Sequence, residues 1–438
     1  MAYRPAEGAP VGGSLPEALS TQHRRFVIEG GFPLSGSMRI SGSKNATLPL
    51  MAASLLTSEP CVLHGVPDID DVRIMAEVLR SLGATLEWQA PGQMLIRADQ
   101  IASLAAPIEL VSRMRGSFLV LGPLLARFGS GSSCPPGGDV IGQRPIDVHL
   151  TGFAALGARI TRDGEVYTAT SPALKGASVF MDYPSHIGTE NLLMASCLAK
   201  GSTVLINASQ EPEVVDLANM LLKMGARIHG AGTSVIQIEG VDRLGGAEHT
   251  IVPDRIEAGT FAIAAAVAGG AVHLTNVCPE HLNSLVWKLR ETGVTVRNDG
   301  DSLFVSRGGP LTAVNVQALP YPGFATDLQA AFGVLLTQAT GISIVHERVY
   351  DNRLLYVQEL RKMGASVQVS GQTALIKGPC KLKGATVRAL DIRSGAALML
   401  AGLAAEGTSY IEDIQHLERG YEAIDEKLQA LGAHVWRV

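Results

Sequence analysis

The chain has 438 residues, 46% of them apolar, which is enough for more than one hydrophobic core. Its formal charge of -5 supplies no basic field for nucleic acid or for an anionic membrane surface, so any functional cations must act locally. The five cysteines are odd in number, scattered and without a CxxC pair, which argues against a disulfide framework or a zinc site and suits a reducing cytoplasm.

Along the chain, residues 1–24 are rich in Pro, Gly and Ser and lack the apolar run of a signal peptide, so they are expected to form a disordered tail. Beyond them come six apolar segments: ATLPLMAASLLTSE, SFLVLGPLLARFG, NLLMASCLAKG, FAIAAAVAGG, LQAAFGVLLTQATG and AALMLAGLAAEG. Each is shorter than the roughly 20 residues of a membrane span and apolar on nearly every side, which predicts buried helices. Five of the six lead into a β-like run such as TVLINAS or ISIVHERV.

Each apolar segment is followed by a helix end that runs into a strand: LRSLGATL at Leu79, FAALGARI at Phe153, LLKMGARI at Leu221, LRETGVTV at Leu289, LRKMGASV at Leu360 and LQALGAHV at Leu428. The glycines, from Gly83 to Gly432, are spaced by 74, 68, 68, 71 and 68 residues. A residue just past a helix end often needs positive φ, which explains why glycine recurs there. The repeated unit therefore reads as buried helix, strand, amphipathic helix and paired strands, giving an α/β fold of two domains with about three units each. No glycine-rich phosphate fingerprint follows a strand, which argues against a Rossmann array, and the period exceeds that of common solenoids.

Polar residues recur at the start of each buried helix: Lys44 with Asn45, Arg113 with Arg115, Thr189 with Glu190, Glu257, Asp327, and Asp391 with Arg393. Helix N-termini directed into a shared cleft would suit an anion, and the basic residues would reinforce that preference. Thr189 and Glu257 are equally readable as helix caps, whereas Lys44, Arg115 and Arg393 have poor capping side chains. A second polar position, about a dozen residues before each glycine, holds Asp71, Arg144, Glu213, His281, Arg353 and Arg419. Most of these read as ordinary surface charges; Arg144 stands out because it ends the glycine-rich loop CPPGGDVIGQRPID.

Several of these stretches together carry a resemblance: ISGSKNATLPL, PGGDVIGQRPIDVHLTGFAALGA, EPEVVDLA, PDRIEAGTF, FATDLQA, DIRSGAALMLAG and HLERGYEAIDEKLQALGA. From about Phe26 onward the chain resembles the UDP-N-acetylglucosamine 1-carboxyvinyltransferases, bacterial enolpyruvyl transferases of peptidoglycan precursor synthesis. The resemblance implies an inside-out α/β barrel of two domains, residues 44–252 and residues 25–43 plus 253–438, with six repeated units, three per domain. It implies transfer of the enolpyruvyl group of phosphoenolpyruvate to the 3′-hydroxyl of UDP-N-acetylglucosamine through a tetrahedral adduct, with release of phosphate. A cytoplasmic monomer is expected, with no metal or cofactor and with no nucleic acid or membrane partner.

By the same resemblance Lys44, Arg144 and Arg419 would hold phosphoenolpyruvate, and Asn45 and Arg115 would contact the adduct or the nucleotide sugar. Arg144, Pro145, Ile146, Asp147, Val148 and Val349 would line the uridine diphosphate site, with Ser185 beside them. Asp327 would take the proton of the sugar hydroxyl, while Asp391 and Arg393 would support the closed site.

Two departures from the family pattern matter. Many members carry cysteine, the proton donor and the target of fosfomycin, where this chain has Asp139; resistance to the drug is expected, with Cys134 a poor substitute for the missing thiol. In MDYPSHIGTEN the residues His186, Ile187 and Gly188 stand where many members have Val-Gly-Ala, so His186 reads either as a phosphate ligand or as a surface residue. Two other readings stay open, an enolpyruvylshikimate-phosphate synthase-like enzyme and a non-catalytic UDP-sugar-binding paralogue.

Overall fold

The structure, a computed structural model, describes residues 24–139, 141–142 and 144–438. The expected tail up to residue 23, together with Val140 and Gln143 of the glycine-rich loop, lies outside the described residues. Arg24, which the sequence reading assigned to the tail, is described and pairs with Glu418 at 2.9 Å.

Six buried helices recur: α1 (Lys44–Ala53), α3 (Leu121–Phe128, entered through a 3-10 turn at Arg115–Val120), α5 (His186–Ser196), α7 (Arg255–Ala268), α9 (Thr326–Leu336) and α11 (Ile392–Ala404). Between them lie six others: α2 (Asp70–Leu82), α4 (Asp147–Ala155), α6 (Pro212–Lys223), α8 (Asn283–Glu291), α10 (Tyr356–Lys362) and α12 (Ile424–Ala430). The second set buries an apolar stripe, as α2 does with Val72, Met75, Val78, Leu79 and Leu82, and exposes most of its charged side chains, with Asp71 of α2 and Glu213 of α6 among the buried exceptions. Each of these ends at its expected glycine, all six with φ between +89° and +109°. Gly225, at +99°, adopts the left-handed turn that lets the chain reverse from α6 into the next strand.

Beyond their polar first turns the buried helices carry mostly small and apolar residues, so burial satisfies nearly every side of them. In α7 every residue from Ile256 to Val267 is buried. Small residues allow close approach: Gly259 leaves room for Leu328 of α9, whose methyl carbon would lie 2.6 Å from an added Cβ. Buried apolar side chains separate into two clusters, one built from residues 46–251 and one from 26–40 and 256–435. α7, α9 and α11 pack on one another inside the second, and α1, α3 and α5 lie inside the first.

Each unit carries one sheet with an antiparallel core of three strands. The strand after α3, Ser130–Ser133, has the sequence SGSS and so carries no β-branched signal; all six buried helices lead into a strand, not five. Five of the six sheets also contain a feature absent from the sequence expectation, a short strand that joins in parallel, as Ser178–Phe180 does with Ser202–Ile206 across α5; at Ser130–Ser133 only an isolated parallel bridge, Ala105 to Ser132, takes its place. A parallel pair requires a crossover, and the buried helix supplies it.

At the two passages between the clusters this pattern is exchanged. The strand before α1, Leu34–Arg39, pairs in parallel with Gly270–Thr275 after α7. The strand before α7, Glu248–Thr250, pairs in parallel with Cys61–His64 after α1. Asp254 ties the passages together, because its Oδ2 accepts the backbone N–H of Lys44 at 3.0 Å while its Oδ1 caps its own helix α7.

Candidate functional site

A cleft of about 420 Å³ is lined by side chains of both clusters. First-turn residues of α1, α5, α7, α9 and α11 reach it, as does Arg115 of the turn leading into α3. Helix starts carry the positive end of the helix dipole, so their convergence favours an anionic occupant even where Ser43, Ser185, Asp254 and Asp391 cap first-turn N–H groups.

On one wall a chain of ion pairs links the clusters. Asp71, only 1% exposed, accepts Lys44 Nζ at 2.9 Å and Arg419 Nε at 2.9 Å. Arg419 Nη1 also donates to Asp139 Oδ1 at 2.5 Å, and Arg144 Nη2 donates to the Asp139 carbonyl at 2.7 Å. Burial alone would raise the Asp71 pKa, but Lys44 and Arg419 outweigh it and hold the carboxyl below its ordinary range. Burial likewise opposes the charge on Arg419, and Asp71 and Asp139 more than restore it.

A second cluster centres on Asp327, which accepts Arg353 at 2.8 Å and Arg393 at 3.0 Å. Burial pushes its pKa up, yet Arg393, Arg353, Lys44 and Arg255 together hold it far below the carboxylate range, so it is ionised at neutral pH in the unliganded cleft. The guanidinium of Arg353 sits over Tyr350 and that of Arg393 over Tyr421, which fixes both donors.

Arg115 and Arg144 have no carboxylate side chain as ion-pair partner among the described residues. Arg115 Nη2 donates to the carbonyl of Pro145 at 3.0 Å. Burial, then the charge of Arg144, lowers the Arg115 pKa to about 10, which leaves it cationic at neutral pH. Two cations without acids are available for an anionic ligand.

Of the residues expected from the sequence, Lys44, Asn45, Arg115, Asp139, Arg144 and Pro145 line the cleft. So do Val148, Ser185, Asp327, Val349, Arg393 and Arg419. Three do not: Ile146 packs into the first core, Asp147 points outward from the start of α4, and Asp391 caps α11. Asp391 Oδ1 is occupied by the backbone N–H groups of Arg393 and Ser394, so its geometry is that of a capping box.

Other expectations need correcting. Thr189 caps no helix; its hydroxyl donates to the Ser185 carbonyl while Ser185 is the cap. Glu257 accepts Ser41 N–H and Lys427 instead of capping α7. Arg113 turns away to Glu77. Asp71, Glu213 and Arg353, read as surface charges, are buried and paired with Lys44, Arg255 and Asp327. Their signal was present in the second recurring position, but burial depends on a partner that the period does not name. Of the two readings of His186, phosphate ligand or surface residue, the second fails: it lines the cleft 3.0 Å from Glu190. Cys134 is 3% exposed and its thiol pKa is raised by burial, which makes it inert. Among the described residues no group of three His, Cys, Asp or Glu side chains suits a metal ion, and no helix is long and apolar enough to cross a membrane.

Comparison with known proteins adds the following. A family model described as EPSP synthase (3-phosphoshikimate 1-carboxyvinyltransferase) matches residues 28–428. UDP-N-acetylglucosamine 1-carboxyvinyltransferase 1 of Caldanaerobacter subterraneus is 49% identical, over 94% of this chain and 99% of its own. The enzyme named UDP-N-acetylglucosamine 1-carboxyvinyltransferase from Solibacter usitatus is 48% identical with the same coverage. Among solved structures, the enolpyruvyl transferase NikO of Streptomyces tendae superposes with a TM-score of 0.85 at 26% identity, covering 95% of this chain and 99% of its own. An EPSP synthase of Acinetobacter baumannii superposes at 0.74 with 18% identity, covering 95% and 100%, and shares the fold.

Proposed function

The chain belongs to the UDP-N-acetylglucosamine 1-carboxyvinyltransferases within the EPSP synthase family, and on that footing we propose how its cleft joins phosphoenolpyruvate to UDP-N-acetylglucosamine. The fold is that of the enolpyruvyl transferases, an inside-out α/β barrel. Its two cores then act as two domains, residues 44–252 and residues 25–43 with 253–438, and substrates bind between them. The observation that carries the reading is near-full-length identity of 48 to 49% to these transferases, combined with Lys44, Arg115, Arg144 and Arg419 converging on one cleft.

Phosphoenolpyruvate brings a phosphate and a carboxylate. Lys44 and Arg419 are pre-ordered by Asp71, and Arg144 lies beside them, so three cations receive those anions. The sugar nucleotide lies along Arg115, Arg144–Val148, Ser185 and Val349, with Asn45 at the junction. Asp327 is the proposed acceptor of the 3′-hydroxyl proton as the hydroxyl oxygen bonds to C2 of the enol; Arg353 and Arg393, which hold it ionised, must loosen their grip for it to act as the base. C3 takes a proton at the same stage, giving the tetrahedral phospholactoyl adduct. Loss of a proton from C3 then re-forms the double bond and expels phosphate.

Asp139 is the proposed donor to C3. Its carboxylate pairs with Arg419, so once Arg419 moves to the substrate phosphate Asp139 takes up a proton from solvent, gives it to C3, and takes one back from C3 when the double bond re-forms. Arg393 and Arg353 keep Asp327 in place, and Asp391 serves them indirectly by capping α11. The enzyme works as a cytoplasmic monomer in peptidoglycan precursor synthesis and resists fosfomycin, since the cysteine that the drug alkylates is Asp139 here.

Release of inorganic phosphate from phosphoenolpyruvate is the test. Release that depends on UDP-N-acetylglucosamine is the expected result; release with shikimate 3-phosphate instead, or binding of the sugar nucleotide without release, defeats the proposal.

A further inference from the structure

His186 and Glu190 have no part in the chemistry above, yet they form a built pair on the cleft wall. His186 is the first residue of α5, and its Nε2 lies 3.0 Å from Oε1 of Glu190 one turn later. Glu190 is 1% exposed, whereas the His186 side chain is 24% exposed. Nε2 and Oε1 are themselves closed off and, among the described residues, neither has a hydrogen-bond partner of good geometry, so the pair is held by charge at short range. The accessible part of the ring therefore lies away from Glu190. A cation gains nothing from the start of a helix, where the dipole repels it, so α5 does not require a histidine there.

The charged groups that act on the ring are Glu190 on its own helix and Glu211 and Glu213 at the start of α6. Arg255 pairs with Glu213 at 2.9 Å, and Glu211 is bonded to the Ser209 hydroxyl. Burial would lower the imidazole pKa, but Glu190, Glu211 and Glu213 outweigh it and push it up to about 10. The protonation state has a geometric consequence. A neutral ring beside a carboxylate keeps its one hydrogen on Nε2, toward Glu190, so Nδ1 carries a hydrogen only when the ring is charged.

The start of α5 abuts the segment assigned to the sugar nucleotide: a Cβ on Gly188 would lie 2.7 Å from Cγ1 of Val148. We propose that the Nδ1–H of His186 donates to an oxygen of the sugar nucleotide, with Glu190 positioning the ring for that contact. The inference rests on the reading of the cleft as a sugar-nucleotide site. It makes His186 a specificity-determining residue and Glu190 a positioning residue.

Steady-state kinetics with both substrates test it. His186→Ala should raise KM for UDP-N-acetylglucosamine about tenfold, the loss of one charge-assisted hydrogen bond, while KM for phosphoenolpyruvate and the thermal midpoint stay unchanged. In the wild type KM for the sugar nucleotide should be flat from pH 6 to 8. In Glu190→Gln the ring reverts toward the ordinary value of about 6.5, so KM should rise with pH across that range. A sugar-nucleotide KM within twofold of wild type in His186→Ala, or a flat profile in Glu190→Gln, overturns the inference alone. Absence of sugar-nucleotide-dependent turnover in the wild type overturns the functional reading and the inference together. Should Glu190→Gln fail to fold, nitrogen NMR of the wild-type ring at pH 8 replaces it: two protonated nitrogens, with Nδ1 shifting on addition of the sugar nucleotide, support the contact, and a singly protonated ring overturns it.

Discussion

Arg419 holds Asp139 by a 2.5 Å hydrogen bond from Nη1 to Oδ1, while its Nε stays on Asp71. The guanidinium proposed to receive the substrate phosphate is thus already occupied by an anion of the protein itself. Asp139→Asn should remove that competitor and tighten binding of inorganic phosphate about fivefold, the size of a partly exposed ion pair. Turnover should fall about 100-fold or more with loss of the proton donor. Calorimetric titration with phosphate, beside a turnover assay, measures both; unchanged or weaker phosphate binding would count against the competition.

Exchange of the same residue for cysteine tests the drug prediction. Wild type treated with fosfomycin should show no adduct by intact-mass spectrometry and no loss of activity. Asp139→Cys should gain one covalent adduct and become sensitive, because the cleft would then hold the thiol that buried Cys134 does not supply.

Asp71 carries two cations from a site almost shut off from water. Removing one partner of a buried ion pair leaves charge uncompensated, so Asp71→Asn should cost about 3 kcal/mol at pH 7 in urea unfolding. The folded pKa lies below the unfolded one. This stabilisation is therefore complete above about pH 4 and is lost as pH falls further. The difference between wild type and variant should shrink in acid; a constant difference would refute the ion-pair origin.

His149 supplies a second pH dependence, with a different window. Its Nδ1 is 3.1 Å from Nδ2 of Asn191, whose Oδ1 accepts the Gly122 N–H at 2.8 Å, and burial followed by the charge of Arg115 lowers the imidazole pKa to about 3. The unfolded chain takes up this proton first, so stability is full above about pH 6.5 and declines as pH falls toward 3, by about 3 kcal/mol at pH 4. His149→Phe should flatten that part of the profile. Parallel slopes for wild type and variant would show that His149 is not buried as the neutral ring.

The sequence by itself determined the repeating unit, the six glycines at the helix ends and the polar residues at the helix starts. These are local facts: a helix apolar on every side must be buried, and a chain reversing after a helix favours a residue tolerant of positive φ. The motifs that carry the resemblance were legible for the same reason, as contiguous runs. Tertiary structure alone decided which polar residues work together. Asp71 and Arg419 are 348 residues apart, and nothing in a 70-residue period states that the last unit reaches back to the first. Nor did the period reveal that Leu34–Arg39 and Glu248–Thr250 exchange sheets, because each strand satisfies its own backbone equally well in either register and only the passage of the chain between two cores selects the partner. Burial of Asp71 and Glu213 depends on partners across the two cores, Arg419 and Arg255, and that of Arg353 on Asp327 of a neighbouring helix, since a carboxylate or guanidinium leaves water only where a partner of opposite charge already waits.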